Sequence, residues 1–229
     1  MKAGMLMMGV LVAGCAGRQP RGELIEADVI VPRDGAKSLG AALSMDAGTL
    51  AVYGGECALM QATMRYDSAT SKPQVDYAVD EGGFGTLSVR EQGGRPGRSA
   101  DWTVCLTREL PVALEVDLGA GNSDFKFGGM QLRELDVDVG AGNVHVDLRG
   151  AILAKSRVKV DGGAGQMRLT LPNDAGVRVE IDRAVGQLSI GAGLRKEDGM
   201  YVNDLWGQSE QSVEVSLDLG AGEISIDVE

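Results

Sequence analysis

The chain is poor in the residues on which most catalytic and recognition chemistry depends. Aromatic residues make up 4% of its 229 positions, so stacking platforms for bases or sugar rings are scarce. There is one histidine, His145, and three cysteines, Cys15, Cys57 and Cys105. No zinc-ligand spacing and no Ser-His-Asp set with a second base can be assembled from so few. Excess positive charge is also missing. A net charge of −11 argues against nucleic acid and against an anionic membrane surface, since both are held by basic surface. The apolar run from Ala3 to Gly14 is too short to span a bilayer. What the chain does have is glycine. Its 34 glycines are spread at intervals rather than gathered in a tract, and 44% of residues are hydrophobic, which is enough for one continuous core. The glycine phrases lead into strands and not helices, which excludes dinucleotide and P-loop readings.

The N-terminus reads as an address. Lys2 precedes the apolar run, and "LVAGC", Leu11–Cys15, resembles the lipobox of bacterial lipoproteins. That resemblance implies a signal peptide over 1–14 and a diacylglycerol on the Cys15 sulfur, so that the lipid bilayer is a partner through acylated Cys15. Several acyl chains on one residue hold firmly. Residues 15–23 then read as a tether and 24–229 as the folded domain. Ala16 after the cysteine, by resemblance to enterobacterial sorting, favours the outer membrane where the cell has one. The plainer alternative is an ordinary signal peptide with an incidental cysteine. Outside the cytoplasm the two remaining cysteines, Cys57 and Cys105, suggest a disulfide, with two separate buried thiols as the alternative.

The repeat predicts the fold. The phrases "EVDLGAG", "DVDVGAG", "KVDGGAG" and "SLDLGAG" share a second glycine, and the anchors in series are Gly48, Gly85, Gly121, Gly142, Gly165, Gly186 and Gly222. Three of the intervals are 21–23 residues and three are 36–37. A fixed period of this size marks a stacked, quasi-one-dimensional architecture. Four residues after each anchor stand Val52, Val89, Phe125, Val146, Leu169, Ile190 and Ile226, all apolar, with polar residues between. Apolar positions alternate before the anchors too, as in Leu114/Val116/Leu118. Period-two alternation is a half-buried strand. Each unit is therefore strand, glycine corner, strand, the glycine being needed for positive φ or for close approach to the next rung. The expectation is an all-β, right-handed β-solenoid or β-helix-like stack of about seven such units, ending on a bare last rung, Glu223–Glu229.

The order of segments "LSMDAGTLAVYGG", "DWTVCLTRELPVALEVDLGAGNSDF", "LDVDVGAGNVHVDL", "LPNDAGVRVEI" and "YVNDLWG" resembles the bacterial toast-rack domain over about residues 38–229. That domain is related to the extracytoplasmic part of LiaF-like cell-wall-antibiotic response proteins and to β-helical proteins proposed to be adhesins. The resemblance implies a non-enzymatic cell-envelope domain with no established ligand or catalytic residue. A lipid anchor in place of a transmembrane segment, and the two cysteines, are departures from the pattern.

Four residues before the anchors stand Asp117, Asp138, Asp161, Asp182 and Asp218, with Glu81 and Ser44 in the same place earlier. In register they form an acid ladder. One reading is a cation strip, since carboxylates are ligands for Ca²⁺. The favoured reading is that each accepts a hydrogen bond from its own corner, with no metal and no cofactor. His145 is expected at the surface beside Asp147. The excursion 191–212 gathers Met200, Tyr201, Leu205 and Trp206, either as a cap over the stack or as a partner patch. Two functions stay open. One is a lipid-anchored module that binds or scaffolds envelope components, an unknown envelope protein or polysaccharide. The other is a Ca²⁺-dependent polysaccharide-active enzyme using Lys159 or Arg178 as base.

Overall fold

The computed structural model describes residues 22–68, 72–92 and 100–229, with only the backbone of residues 152 and 153. The signal peptide and lipobox Cys15 lie outside the described residues. Among these residues thirteen strands follow one another: β1 (Leu24–Val31), β2 (Ser38–Gly55), β3 (Met60–Asp67), β4 (Lys72–Val79), β5 (Phe84–Gln92), β6 (Ala100–Thr107), β7 (Pro111–Lys126), β8 (Gln131–Asp147), β9 (Ile152–Leu171), β10 (Gly176–Ile190), β11 (Arg195–Glu197), β12 (Met200–Val202) and β13 (Ser212–Val228). Among the described residues there is no helix, so none is long and apolar enough to cross a membrane.

Six long strands, β2, β7, β8, β9, β13 and β10, each bend at a glycine into two legs, and they stack in parallel in that order. The corner glycines stand directly over one another: Gly48, Gly121, Gly142, Gly165, Gly222 and Gly186. Both reasons for glycine apply at this corner. At Gly142 φ is +145°, and a Cβ there would lie 1.7 Å from the carbonyl oxygen of Gly121 on the rung below. Only a residue without a side chain lets the rungs close to strand-pairing distance.

The corners divide the stack into two ladders. First legs run β4–β5–β2–β7–β8–β9–β13–β10–β12–β11, and second legs run β1–β3–β6–β2–β7–β8–β9–β13–β10. Inward residues of both, such as Leu43, Val116, Val137, Val160 and Leu217 on first legs and Val52, Phe125, Val146, Leu169 and Ile226 on second legs, join one buried core. A rung alone could not bury both of its apolar faces; stacking makes that burial continuous.

The structure corrects the expected stack in three places. Among the described residues there are six glycine corners, not seven. Gly85 has no positive φ and pairs with Leu39 inside a straight run; its missing side chain makes room for the Tyr77 ring and Ala36. The strand Glu223–Glu229 is not a bare last rung. β13 lies between β9 and β10, hydrogen-bonded on both sides, and the Glu229 N–H donates to the Leu171 carbonyl. The terminal rung is β10, where exposed Arg183 stands in register with buried Leu219 of β13. The Arg183 guanidinium donates to the Gly186 carbonyl. A charged side chain on a last strand discourages further pairing.

The 191–212 excursion accordingly lies along β10 and not over β13. β12 pairs with β10 at Arg178 and Val179, and β11 pairs with β12. Buried Asn203 fixes this hairpin to the stack: its Nδ2 donates to the Ala175 carbonyl at 2.7 Å, and its Oδ1 accepts the Val177 N–H at 2.9 Å. Met200, Tyr201, Leu205 and Trp206 are half-buried there, with the Arg178 guanidinium 5.9 Å from the Trp206 ring. Cys57 and Cys105 form a disulfide with Cα atoms 6.4 Å apart, tying the turn after β2 to β6.

Candidate functional site

In-register stacking turns each outward position of the repeat into a row, and the rows make two chemically different faces. On the first legs, Asp117, Asp138, Asp161, Asp218 and Asp182 stand side by side on five successive rungs, in that spatial order. The next row along the strands reads Glu115, Asp136, Lys159, Ser216 and Glu180, and the one beyond it Glu134, Arg157, Glu214 and Arg178. The ladder expected from spacing is therefore present.

Its chemistry differs from both readings of the spacing. Among the described residues, no backbone N–H donates to Asp117, Asp138, Asp182 or Asp218. The expected corner hydrogen bonds are not made, because the residue four before the glycine is still in the extended leg with its side chain outward. Nor, among the described residues, do three His, Cys, Asp or Glu side chains converge as a metal site would require. Lys159 neutralises the middle of the ladder. Its Nζ bonds Asp161 and lies 3.8 Å from Asp136, and the hydrogen bond to Asp161 raises its pKa, helped by the charges of Asp136 and Asp138. Arg178 is 3.7 Å from Glu214. Both residues considered as catalytic bases are thus held as cations in ion pairs.

The second legs carry a polar face nine strands wide. One row, just after the corners, reads Thr49, Asn122, Asn143, Gln166, Glu223 and Gln187. The next reads Ala51, Asp124, His145, Arg168, Ser225 and Ser189. Over β2, β7, β8, β9 and β13 these rows line an open groove of about 390 Å³. The Asn143 amide donates to Asn122 Oδ1 at 2.9 Å, the start of an amide ladder.

Histidine sits in this groove, with Asp147 two residues along on the same face of β8 as expected. Its hydrogen-bond partner is on the rung below: His145 Nδ1 is 2.9 Å from Asp124 Oδ1, since adjacent rungs bring equivalent positions together. Burial pushes the Asp124 pKa up, yet hydrogen bonds from Lys126 and His145 hold it below the ordinary value. Asp147 is held low by hydrogen bonds from Arg149, against some burial. Among the described residues, no serine, threonine or cysteine is hydrogen-bonded to the Asp124–His145 pair. Ser123 points inward, and Ser225 is two strands away behind Arg168. Around the groove, Gln166, Arg168, Glu223 and Ser225 make no hydrogen bond or ion pair to other described residues, so their polar atoms are open to a ligand. The acids drew attention in the sequence; this face was the harder one to see. Its signal was an amide directly after the corner glycine in three consecutive coils, Asn122, Asn143 and Gln166.

Comparison with known proteins follows the stack along most of its length. Residues 20–170 match the family model described as the N-terminal domain of toast_rack, DUF2154. Residues 120–226 match that of the cell wall-active antibiotics response protein LiaF, C-terminal part. A crystal structure from Clostridium sporogenes ATCC 15579, of a protein proposed to act in cell adhesion, is 28% identical with a TM-score of 0.85 over 90% of this chain and 100% of its own. A proposed adhesin from Bacteroides fragilis NCTC 9343 is 11% identical over 89% of this chain and 97% of its own, with a TM-score of 0.33, too low to carry an argument. No curated protein matches.

Proposed function

The chain belongs to the toast-rack family, and from that premise we propose that it is a non-enzymatic envelope module, lipid-anchored through Cys15, that binds an envelope component through the polar face of its second legs. One observation carries the reading. The stack presents in-register rows of side chains over six bent rungs, and within the polar groove four of them make no hydrogen bond or ion pair to other described residues. Rows of this kind suit an extended partner, because contacts repeat at each rung instead of converging on one point. The relatives point the same way: one family is named for a response to cell-wall-active antibiotics, and the C. sporogenes structure for cell adhesion. Both are envelope-facing roles. The paired states of Lys159 and Arg178, and an Asp–His pair to which no described serine, threonine or cysteine is hydrogen-bonded, favour binding over polysaccharide cleavage.

The test uses the full chain carrying Cys15→Ser, which removes the anchor and leaves the faces intact. Added to isolated cell envelopes, it should co-sediment saturably and be released by excess unlabelled protein. Non-saturable or absent retention would overturn the binding reading. Separately, partitioning of the wild type into detergent and of Cys15→Ser into buffer tests the anchor.

A further inference from the structure

The polar face carries a more specific statement than "envelope component". We propose that its groove holds an uncharged, linear, β-1,4-linked chain of N-acetylated hexosamines lying along the stack, across the strands. This rests on the reading of that face as the contact surface.

Three observations lead there. The first is period. Parallel strands repeat at about 4.8 Å, and an extended β-1,4-linked pyranose chain advances by only slightly more per sugar. Successive sugars therefore meet successive rungs, and the mismatch stays small across the five strands that line the groove. The second is hydrogen-bonding type. Asn122, Asn143 and Gln166 present amides on three successive rungs, and an N-acetyl group, itself an amide, both donates to and accepts from such a row. Gln166, Arg168, Glu223 and Ser225 add donors and acceptors not used by other described residues.

The third is charge. Within the groove, Asp124 and Glu223 oppose Arg168, with Lys126 and His145 already engaged by Asp124. An acidic polymer would meet the two carboxylates and a basic one the guanidinium, so the uncharged chain incurs the least repulsion.

Calorimetric titration of the full Cys15→Ser chain with β-1,4-linked N-acetylglucosamine oligomers, from dimer to octamer, tests this. Affinity should rise with length and level off at about five units, the width of the groove in rungs. Gln166→Ala/Arg168→Ala, at two exposed positions without partners among the described residues, should weaken pentamer binding about tenfold or more with an unchanged melting temperature. Asp117→Asn/Asp138→Asn on the opposite face should bind as the parent does. No saturable heat with the octamer, affinity independent of length, or unaltered binding by the Gln166/Arg168 variant would each overturn the proposal. Loss of oligomer binding with envelope co-sedimentation retained refutes the ligand alone; loss of both refutes the binding reading as well.

Discussion

Replacing Gly142 by alanine should damage the fold far more than its single methyl suggests. Two costs add. At φ +145° the residue occupies a region open essentially to glycine alone, which costs an L side chain about 1–3 kcal/mol. The new Cβ would also start 1.7 Å from the Gly121 carbonyl oxygen, so the rungs must separate by more than an ångström to reach a tolerable contact. That stretches the ladder on either side of the corner, where Ala141 faces Ala120 and Asn143 faces Asn122. Each ladder bond weakened there loses about 1 kcal/mol. The total is about 3–5 kcal/mol, or a melting temperature lowered by roughly 10 °C or more for a chain of this size. Gly207→Ala is the control. Its φ is +78° with nothing near the added Cβ, so only the backbone term, about 1 kcal/mol, applies. Urea unfolding followed by far-ultraviolet circular dichroism measures both. If Gly142→Ala lies within about 1 kcal/mol of wild type, or no lower than Gly207→Ala, the close-packed corner is wrong.

Three further outcomes are expected. Cys57→Ala/Cys105→Ala, which opens a link spanning 48 residues, should lower stability by about 4 kcal/mol in urea, and in the wild type both cysteines should resist alkylation until reduced; free labelling of the folded protein would contradict the bridge. Asn203→Ala leaves the Val177 N–H and the Ala175 carbonyl buried without their partner, at about 1–3 kcal/mol each, so amide exchange at Val177 and through Met200–Val202 should quicken, and unchanged exchange would mean the hairpin is held otherwise. Asp147 has a folded pKa below its unfolded one, so its stabilisation is complete above the ordinary aspartate value near pH 4 and is lost as pH falls through the folded value; Asp147→Asn should flatten the acid limb of stability against pH, and identical limbs would refute the Arg149 contribution.

Much of this architecture was legible because the repeat encodes it twice, in the alternation of apolar residues and in the corner glycine. Gly85 misled for a physical reason. A glycine that clears space for the Tyr77 ring and one that clears space for a neighbouring rung are the same letter, and only the partner differs. The place of β13 could not follow from sequence order, since β10 and β13 share the same strand, glycine, strand pattern. One mark of the true end was nonetheless there. β13 reads Leu219, Gly220, Ala221 before its corner, and β10 reads Arg183, Ala184, Val185, a charge where a core side chain belongs. The acid ladder was correct in position and misread in bonding, because the spacing that suits a turn also occurs inside a straight leg. The polar groove depends on register between strands about twenty residues apart, as when Asp124 meets His145. Single-strand patterns do not report such pairs.

Site-specific photocrosslinking in living cells decides whether this protein meets the envelope through its second-leg face. A crosslinking residue at Gln166 sits in the groove with no partner among the described residues, and one at Ser216 sits on the acidic face of the same stack. An envelope-derived adduct is expected from position 166, suppressed by Arg168→Ala, and none from position 216. Adducts from position 216 with none from 166 would contradict a second-leg contact face.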